Sequence, residues 1–330
     1  MKKRLCAALV LAIVAVVFCS VGAMAAEKKF SIKISSSQTE KAMMSRVDQM
    51  FADRLNEVSG GRLDVKVFPA GQLGIDDDVI EQAIQGVPVF VNTDAARMGT
   101  YVKEIGILMM AYFADSYEEC AKIMDTPQFK QWEDELAKKH GIRVLSFKFY
   151  DGPRQFMTNV PVNKLADLKH LRVRTIGAEA CIESLKALGA TPISMAWGEV
   201  YNGIQSGALD ACEAQNTSTF PSRIFEVCKY QGKTSHFQLM QAIICGEAFF
   251  QRLPADLQEL VLKTADEVAA ESIPIVKAEV QKCEDDMKKA GLTVNEPDLA
   301  EFKEAVKPAY EKLGFTKLRE ELYKQIGKTN

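Results

Sequence analysis

Two arginines carry the clearest chemical signal in this chain. Arg154 follows a Gly152-Pro153 break directly after an apolar, strand-like run, and Arg174 closes the strand-like Leu171–Val173. A guanidinium is a planar fork of donors matched to a carboxylate or sulfonate. Side chains at strand ends in α/β folds face the crevice where ligands bind. Trp197, between Ala196 and Gly198 and just before a helical pattern, is placed to line such a crevice. Asn92, Asp94 and Arg97 follow an apolar strand in the first half and are expected on the opposite wall. On pattern alone, the competing readings are surface arginines and a core tryptophan. What the pattern offers is a way to hold a small anion, with no obvious way to change it chemically.

Signals for catalysis are nearly absent. The three histidines, His140, His170 and His236, are far apart in sequence. There is no His-Glu-x-x-His, no Walker loop, no Gly-x-Ser-x-Gly elbow and no Gly-x-Gly-x-x-Gly after the first strand. Beyond the N-terminal segment lie Cys120, Cys181, Cys212, Cys228, Cys245 and Cys283, with no Cys-x-x-Cys pair and no zinc spacing. No catalytic residue, metal or cofactor is expected, and buried free thiols suit these cysteines at least as well as disulfides.

The elements that must position the arginines are legible as periodicity. Phe30, Ile32 and Ile34 alternate as a strand. Met43, Val47, Met50, Phe51, Leu55 and Val58 recur at helical spacing. Leu63, Val65 and Val67 alternate again, Asp76 or Asp77 can cap a helix through Ile84, and Val87 to Val91 reads as a buried strand. That β-α-β-α-β order favours a mainly parallel sheet with covering helices. Thr126-Pro127 opens a helix that runs to Gly141. Ile142 to Tyr150 is strand-like, and Asp151-Gly152-Pro153 is expected to break it. A second alternation follows, with a helix near 178–188, a strand near 191–194 and a helix from about 199 to 206. Helical pattern then runs from about Pro254 to Ala290, where Pro274 should kink or break it.

The chain of 330 residues opens with Lys2-Lys3-Arg4, a largely apolar run from Leu5 to Val21, and Ala23-Met24-Ala25. This describes a secretory signal peptide over residues 1–25, with cleavage after Ala25, and hence a periplasmic protein. Its removal would move the side-chain balance from −3 to −6, because it holds three basic residues and no acid. A mildly acidic chain without clustered basic charge argues against nucleic acid. The remaining length suggests two domains.

Four stretches give the chain a family resemblance: SGGRLDVKVFPAGQLG (59–74), GPRQFMTNVPVNKLADLKHLRVR (152–174), MAWGEVYNGIQSGALDACE (195–213) and LPADLQELV (253–261). It resembles the solute-binding subunit of TRAP (tripartite ATP-independent periplasmic) transporters, of the dicarboxylate and sialic-acid-binding type. The resemblance implies an α/β, two-lobed periplasmic binding protein fold with hinge strands and a long helix spanning both lobes. Lobe I would take residues 26–151 plus about 240–279, and lobe II residues 152–239 plus about 280–330. It implies capture of a small organic anion by hinge closure and delivery to separate small and large membrane permease subunits. A monomer is the family default. Arg174 matches the signature arginine that pairs with the ligand carboxylate, Arg154 a second arginine reaching the same group, and Trp197 an aromatic beside it. Asp94 and Arg97 fall on first-lobe positions that contact ligand hydroxyls or a distal group in some members, Ser37 and Asp76 on loop positions that are ligand-near in some members, and Asn92, Glu213 and Gln215 complete the expected set. In one departure, Ala214 stands where the family often carries an Asn that helps bind the carboxylate, so Gln215 or Asn216 would substitute, or the anion is held differently. A same-fold sensory receptor and a secreted enzyme are the alternative functions.

Overall fold

The computed structural model describes residues 29–328, so the expected signal segment lies outside the described residues. The Phe-x-Ile-x-Ile alternation folds as β1 (Phe30–Ser35), with its apolar side chains buried. The parallel strands β2 (Leu63–Phe68) and β3 (Val89–Asp94) flank it, connected by helices Met43–Val58 and Asp76–Ile84. The expected aspartate cap is not formed. Ile75 is the N-cap, and Asp76, Asp77 and Asp78 occupy the first turn, where carboxylates favour the positive end of the helix dipole.

Helix Pro127–His140 is capped as its sequence requires. The Thr126 hydroxyl accepts from the Phe129 amide at 3.2 Å, Pro127 fills the first turn, and Gly141 ends the helix at φ 69°. The next strand is longer than expected. β4 (Ile142–Thr158) runs through Asp151-Gly152-Pro153 without a break. The sequence signal there marks a bulge between Tyr150 and Gly152, with Gly152 at φ 108°. A Cβ at Gly152 would sit 2.8 Å from Val280 Cγ2. Gly152→Ala is therefore expected to destabilise the protein by about 1–3 kcal/mol. An unchanged denaturation midpoint would sink this expectation.

A second parallel unit follows. β5 (Arg172–Thr175) lies between β6 (Thr191–Ser194) and β7 (Ala211–Gln215), with helices Glu179–Ala187 and Val200–Gln205 as connections. The chain then returns along β8 (Tyr230–Gly246), and β9 (Thr293–Asn295) adds to it in parallel. The sheet order is β2-β1-β3-β8-β4-β7-β5-β6. Two parallel units are thus joined by two long antiparallel strands. β8 pairs with β3 through residues 241–245, and β4 pairs with β7 through residues 154–158. This is a two-lobed α/β architecture with β4 and β8 as the crossing strands.

Helix Ala255–Lys289 is 35 residues long and passes through Pro274 uninterrupted. Pro274 and Ala270, whose carbonyl loses its helical donor, are both exposed, so water can satisfy that carbonyl. Burial of Val261, Ala265, Val268, Ser272 and Val276 on the other face holds the helix together. The C-terminal helices touch both halves. Tyr310 Oη donates to the Ala111 carbonyl at 3.0 Å, and Lys312 pairs with Glu183 at 2.6 Å. All six cysteines among the described residues are buried and unpaired.

Candidate functional site

The sheet topology brings the C-terminal ends of β3 and β5 to one cleft, with the middles of β4 and β8 as its floor. The inner cavity is small, about 40 Å³, and is lined by Ser37, Asp76, Asn92, Asp94, Arg97, Arg154, Arg174, Trp197 and Gln215. It adjoins an outer cavity of about 910 Å³ that shares Ser37, Asp76, Arg97, Arg174 and Trp197. Nine of the ten residues singled out from sequence therefore line one space. Glu213 does not: it is fully buried beneath Arg154.

Arg174 is the distinctive group. Only 4% of it is exposed, yet among the described residues it has no carboxylate partner within 4.0 Å. Its Nε donates to the Met195 carbonyl at 2.8 Å, and its guanidinium carbon lies 5.3 Å from the Trp197 ring centroid. Trp197 is itself held by its Nε1 donating to Ser222 Oγ at 3.1 Å. The carbonyl and the ring orient the fork and leave both terminal nitrogens for the cavity. Burial, together with positive charge on Arg154 and Arg97, pulls the Arg174 pKa down to about 10. A buried cation depressed in this way is stabilised by an incoming anion.

Arg154 is different. Its Nε and Nη2 donate to the Glu213 carboxylate, Nη2 also donates to the Glu213 carbonyl at 2.6 Å, and Nη1 donates to Gln215 Oε1 at 3.1 Å. One N–H of five remains for a ligand. Burial would raise the Glu213 carboxyl, but Arg154 and His236 hold it at about 2. Thr175 Oγ1 donates a further bond to it at 2.6 Å. His236 stacks on Phe156 at 4.4 Å, and burial lowers its pKa against the opposing pull of Glu213.

The first-lobe wall is an ion network. Asp94 caps helix Ala95–Met98 and accepts from Arg97 Nη1 at 2.6 Å, and Arg97 Nη2 lies 3.2 Å from Asp76. Arg97 is thus clamped within its own lobe. Neither Gln215 nor Asn216 supplies a free amide donor where Ala214 faces the cavity. Gln215 Nε2 donates to Asp151 and to Ser218, and Asn216 Nδ2 is turned to the Val280 carbonyl.

Sequence reading missed Gln38, Ser218, Leu239 and Gln241, which also line the inner cavity. It also missed two fully buried carboxylates behind the wall. Asp48 accepts from Asn92 Nδ2 at 2.7 Å, and Asp151 accepts from Gln241 Nε2 at 2.9 Å and from Thr217 at 2.8 Å. No local motif marks them, because their partners lie 44 to 90 residues away. Burial pushes both carboxyls up to about 7, and Asp151 adds to the rise at Asp48. The native state therefore binds more protons than the unfolded chain between about pH 4 and 7. Stability from these two groups is present in acid and lost as pH rises through that window. The unliganded Tm is expected to fall from pH 5 to pH 8, and Asp48→Asn to flatten the fall. A Tm that rises over this range, unaltered by the substitution, would contradict the assignment.

Comparison with known proteins gives a consistent picture. Residues 34–317 match the family described as bacterial extracellular solute-binding protein, family 7. The sialic acid-binding periplasmic protein SiaP of Vibrio cholerae is 28% identical over 262 residues, covering 79% of this chain and 81% of that protein. A TRAP periplasmic solute-binding protein from Ochrobacterium anthropi, solved with bound L-fuconate, superposes with a TM-score of 0.87 at 27% identity, covering 90% of this chain and 99% of that one. A third, from Escherichia fergusonii, solved as an apo open structure, gives 0.77 at 32% identity, covering 90% and 98%.

Proposed function

This chain belongs to the bacterial extracellular solute-binding proteins of family 7, the solute-capturing subunits of TRAP transporters, and from that premise we propose that Arg174 anchors the ligand. The observation that carries the proposal is a buried guanidinium facing the cavity with no carboxylate partner among the described residues. A carboxylate or sulfonate entering the inner cavity meets the two terminal nitrogens of Arg174 and the remaining N–H of Arg154. Trp197 covers one side, and Ala214 leaves room on another. Asn92, Asp94, Ser37 and Gln215, with Asp76 and Arg97, form the polar surroundings of the ligand body. Glu213 acts from behind by holding Arg154.

The bound acids of relatives, sialic acid and L-fuconate by their names, favour a hydroxylated organic acid here. This structure is closer to the fuconate-bound relative than to the open apo one, although the latter shares more sequence. That supports reading the lobes as closed. A ligand that touches both walls favours closure by its differential affinity for the closed state. The loaded protein then delivers its solute to the membrane permease subunits. The proposal includes no catalytic step, a monomeric protein, and export with cleavage after Ala25.

The test is a thermal-shift and calorimetric screen of residues 26–330 against small organic acids. Ligand at 100 times its Kd stabilises by about 2.7 kcal/mol. A shift with one class of acid that Arg174→Ala removes supports the proposal. A shift that survives in the folded variant overturns it.

A further inference from the structure

Behind the cavity wall the hydrogen bonds have a direction. An ionised carboxylate only accepts, so an amide bonded to it must present its NH2 group. Asp48 takes the Nδ2 of Asn92, and Asp151 takes the Nε2 of Gln241. Each amide thus has its oxygen left for the cavity that it lines. Gln241 is 6% exposed, and its Oε1 has no partner among the described residues. Gln38 Oε1, another lining residue, is likewise buried without one. Asp94, on the same wall, offers only acceptors. The lining therefore carries free donors on Arg174 and one on Arg154, and acceptors in want of donors on Gln241 and Gln38.

We infer that Asp48 and Asp151, neither of which lines the cavity, are positioning residues that hold the Asn92 and Gln241 amides oxygen-outward. The cavity thereby selects a monoanion bearing hydroxyl donors over a dianion. This rests on the reading of Arg174 as the anion anchor. A hydroxyl placed against Gln241 Oε1 or Asn92 Oδ1 donates to it, whereas a second carboxylate would set lone pairs against lone pairs. A chain with neither group leaves the buried acceptors unsatisfied. Sites built around ligand hydroxyls discriminate strongly against analogues that lack them.

The test compares six-carbon acids by titration calorimetry at pH 8. The hydroxylated set is L-fuconate and D-glucuronate, with N-acetylneuraminate as a larger member. Hexanoate carries no hydroxyl, and adipate carries a second carboxylate. The wild type is expected to bind at least one hydroxylated acid a hundredfold or more tighter than hexanoate or adipate. In Asp48→Asn and Asp151→Asn the introduced amide can donate, so the wall amide is free to turn. The preference for the hydroxylated acid over adipate is then expected to fall at least tenfold, with hexanoate affinity unchanged. A merely structural role would weaken all acids together and leave the ratios alone, which overturns the inference. Where an aspartate variant does not fold, Gln241→Met removes the outward acceptor directly and is expected to cost the hydroxylated acid tenfold and hexanoate nothing. Wild-type preference for adipate or hexanoate overturns the inference while leaving the Arg174 reading standing. No binding of any of the five acids overturns both.

Discussion

Arg174→Ala is expected to abolish tight binding of the organic acid while leaving the unliganded protein as stable as the wild type, or more so. The two halves of this expectation have one cause. Arg174 is buried and has no carboxylate partner among the described residues, so in the empty cleft its charge is desolvated without full compensation. Removing it relieves that cost. In the complex the same charge meets the ligand anion in a cleft that excludes water. Truncating one partner of such a pair typically costs roughly 2–5 kcal/mol, which is on the order of 30- to 4000-fold in Kd. Calorimetric titration and the unliganded Tm, measured on the same preparation, check both halves. A large drop in unliganded Tm would mean that Arg174 is a structural cation.

Arg154→Ala is expected to do the reverse, acting first on the fold. Glu213 is fully buried and depends on Arg154 for most of its compensation, with Thr175 and His236 as minor neighbours. Breaking a buried pair by removing one member strands the other, at a cost of about 3–5 kcal/mol. A Tm lower by roughly 6 °C or more is expected for a chain of this size. Glu213→Gln paired with Arg154→Met should recover part of the loss, since no charge is then left alone. Equal unfolding midpoints for wild type and Arg154→Ala would show that the pair contributes nothing. The two arginines therefore separate by experiment: one answers in affinity, the other in stability. The same contrast explains why Arg154, although it lines the cavity, keeps only one donor for a ligand.

Much of this protein was legible before any coordinates. The alternation in Phe30–Ile34 and Leu63–Val67, the helical spacing from Met43 to Val58, and the Thr126-Pro127 and Gly141 caps are local patterns. They depend on backbone sterics and on which face is buried, and both are written in neighbouring residues. Arg174 and Trp197 could be picked out because each stands at or beside the end of such a local element, whereas Arg154, expected after a strand break, lies inside β4. Other features depend on partners far away in the chain. Asp151-Gly152-Pro153 has the composition of a break, yet pairing to β8 carries the strand through it as a bulge. Pro274 should interrupt a helix, yet burial of the opposite face keeps it whole. Which arginine is free was not decidable from sequence, because it turns on Glu213 lying beside Arg154 and on no acid reaching Arg174. Asp48 and Asp151 carry no signal at all in their own neighbourhoods. Their hydrogen bonds to the wall amides exist only once helix Met43–Val58 packs against β3 and β4 lies beside β8, because a hydrogen bond needs two groups within about 3 Å and the sequence records only one of them at a time.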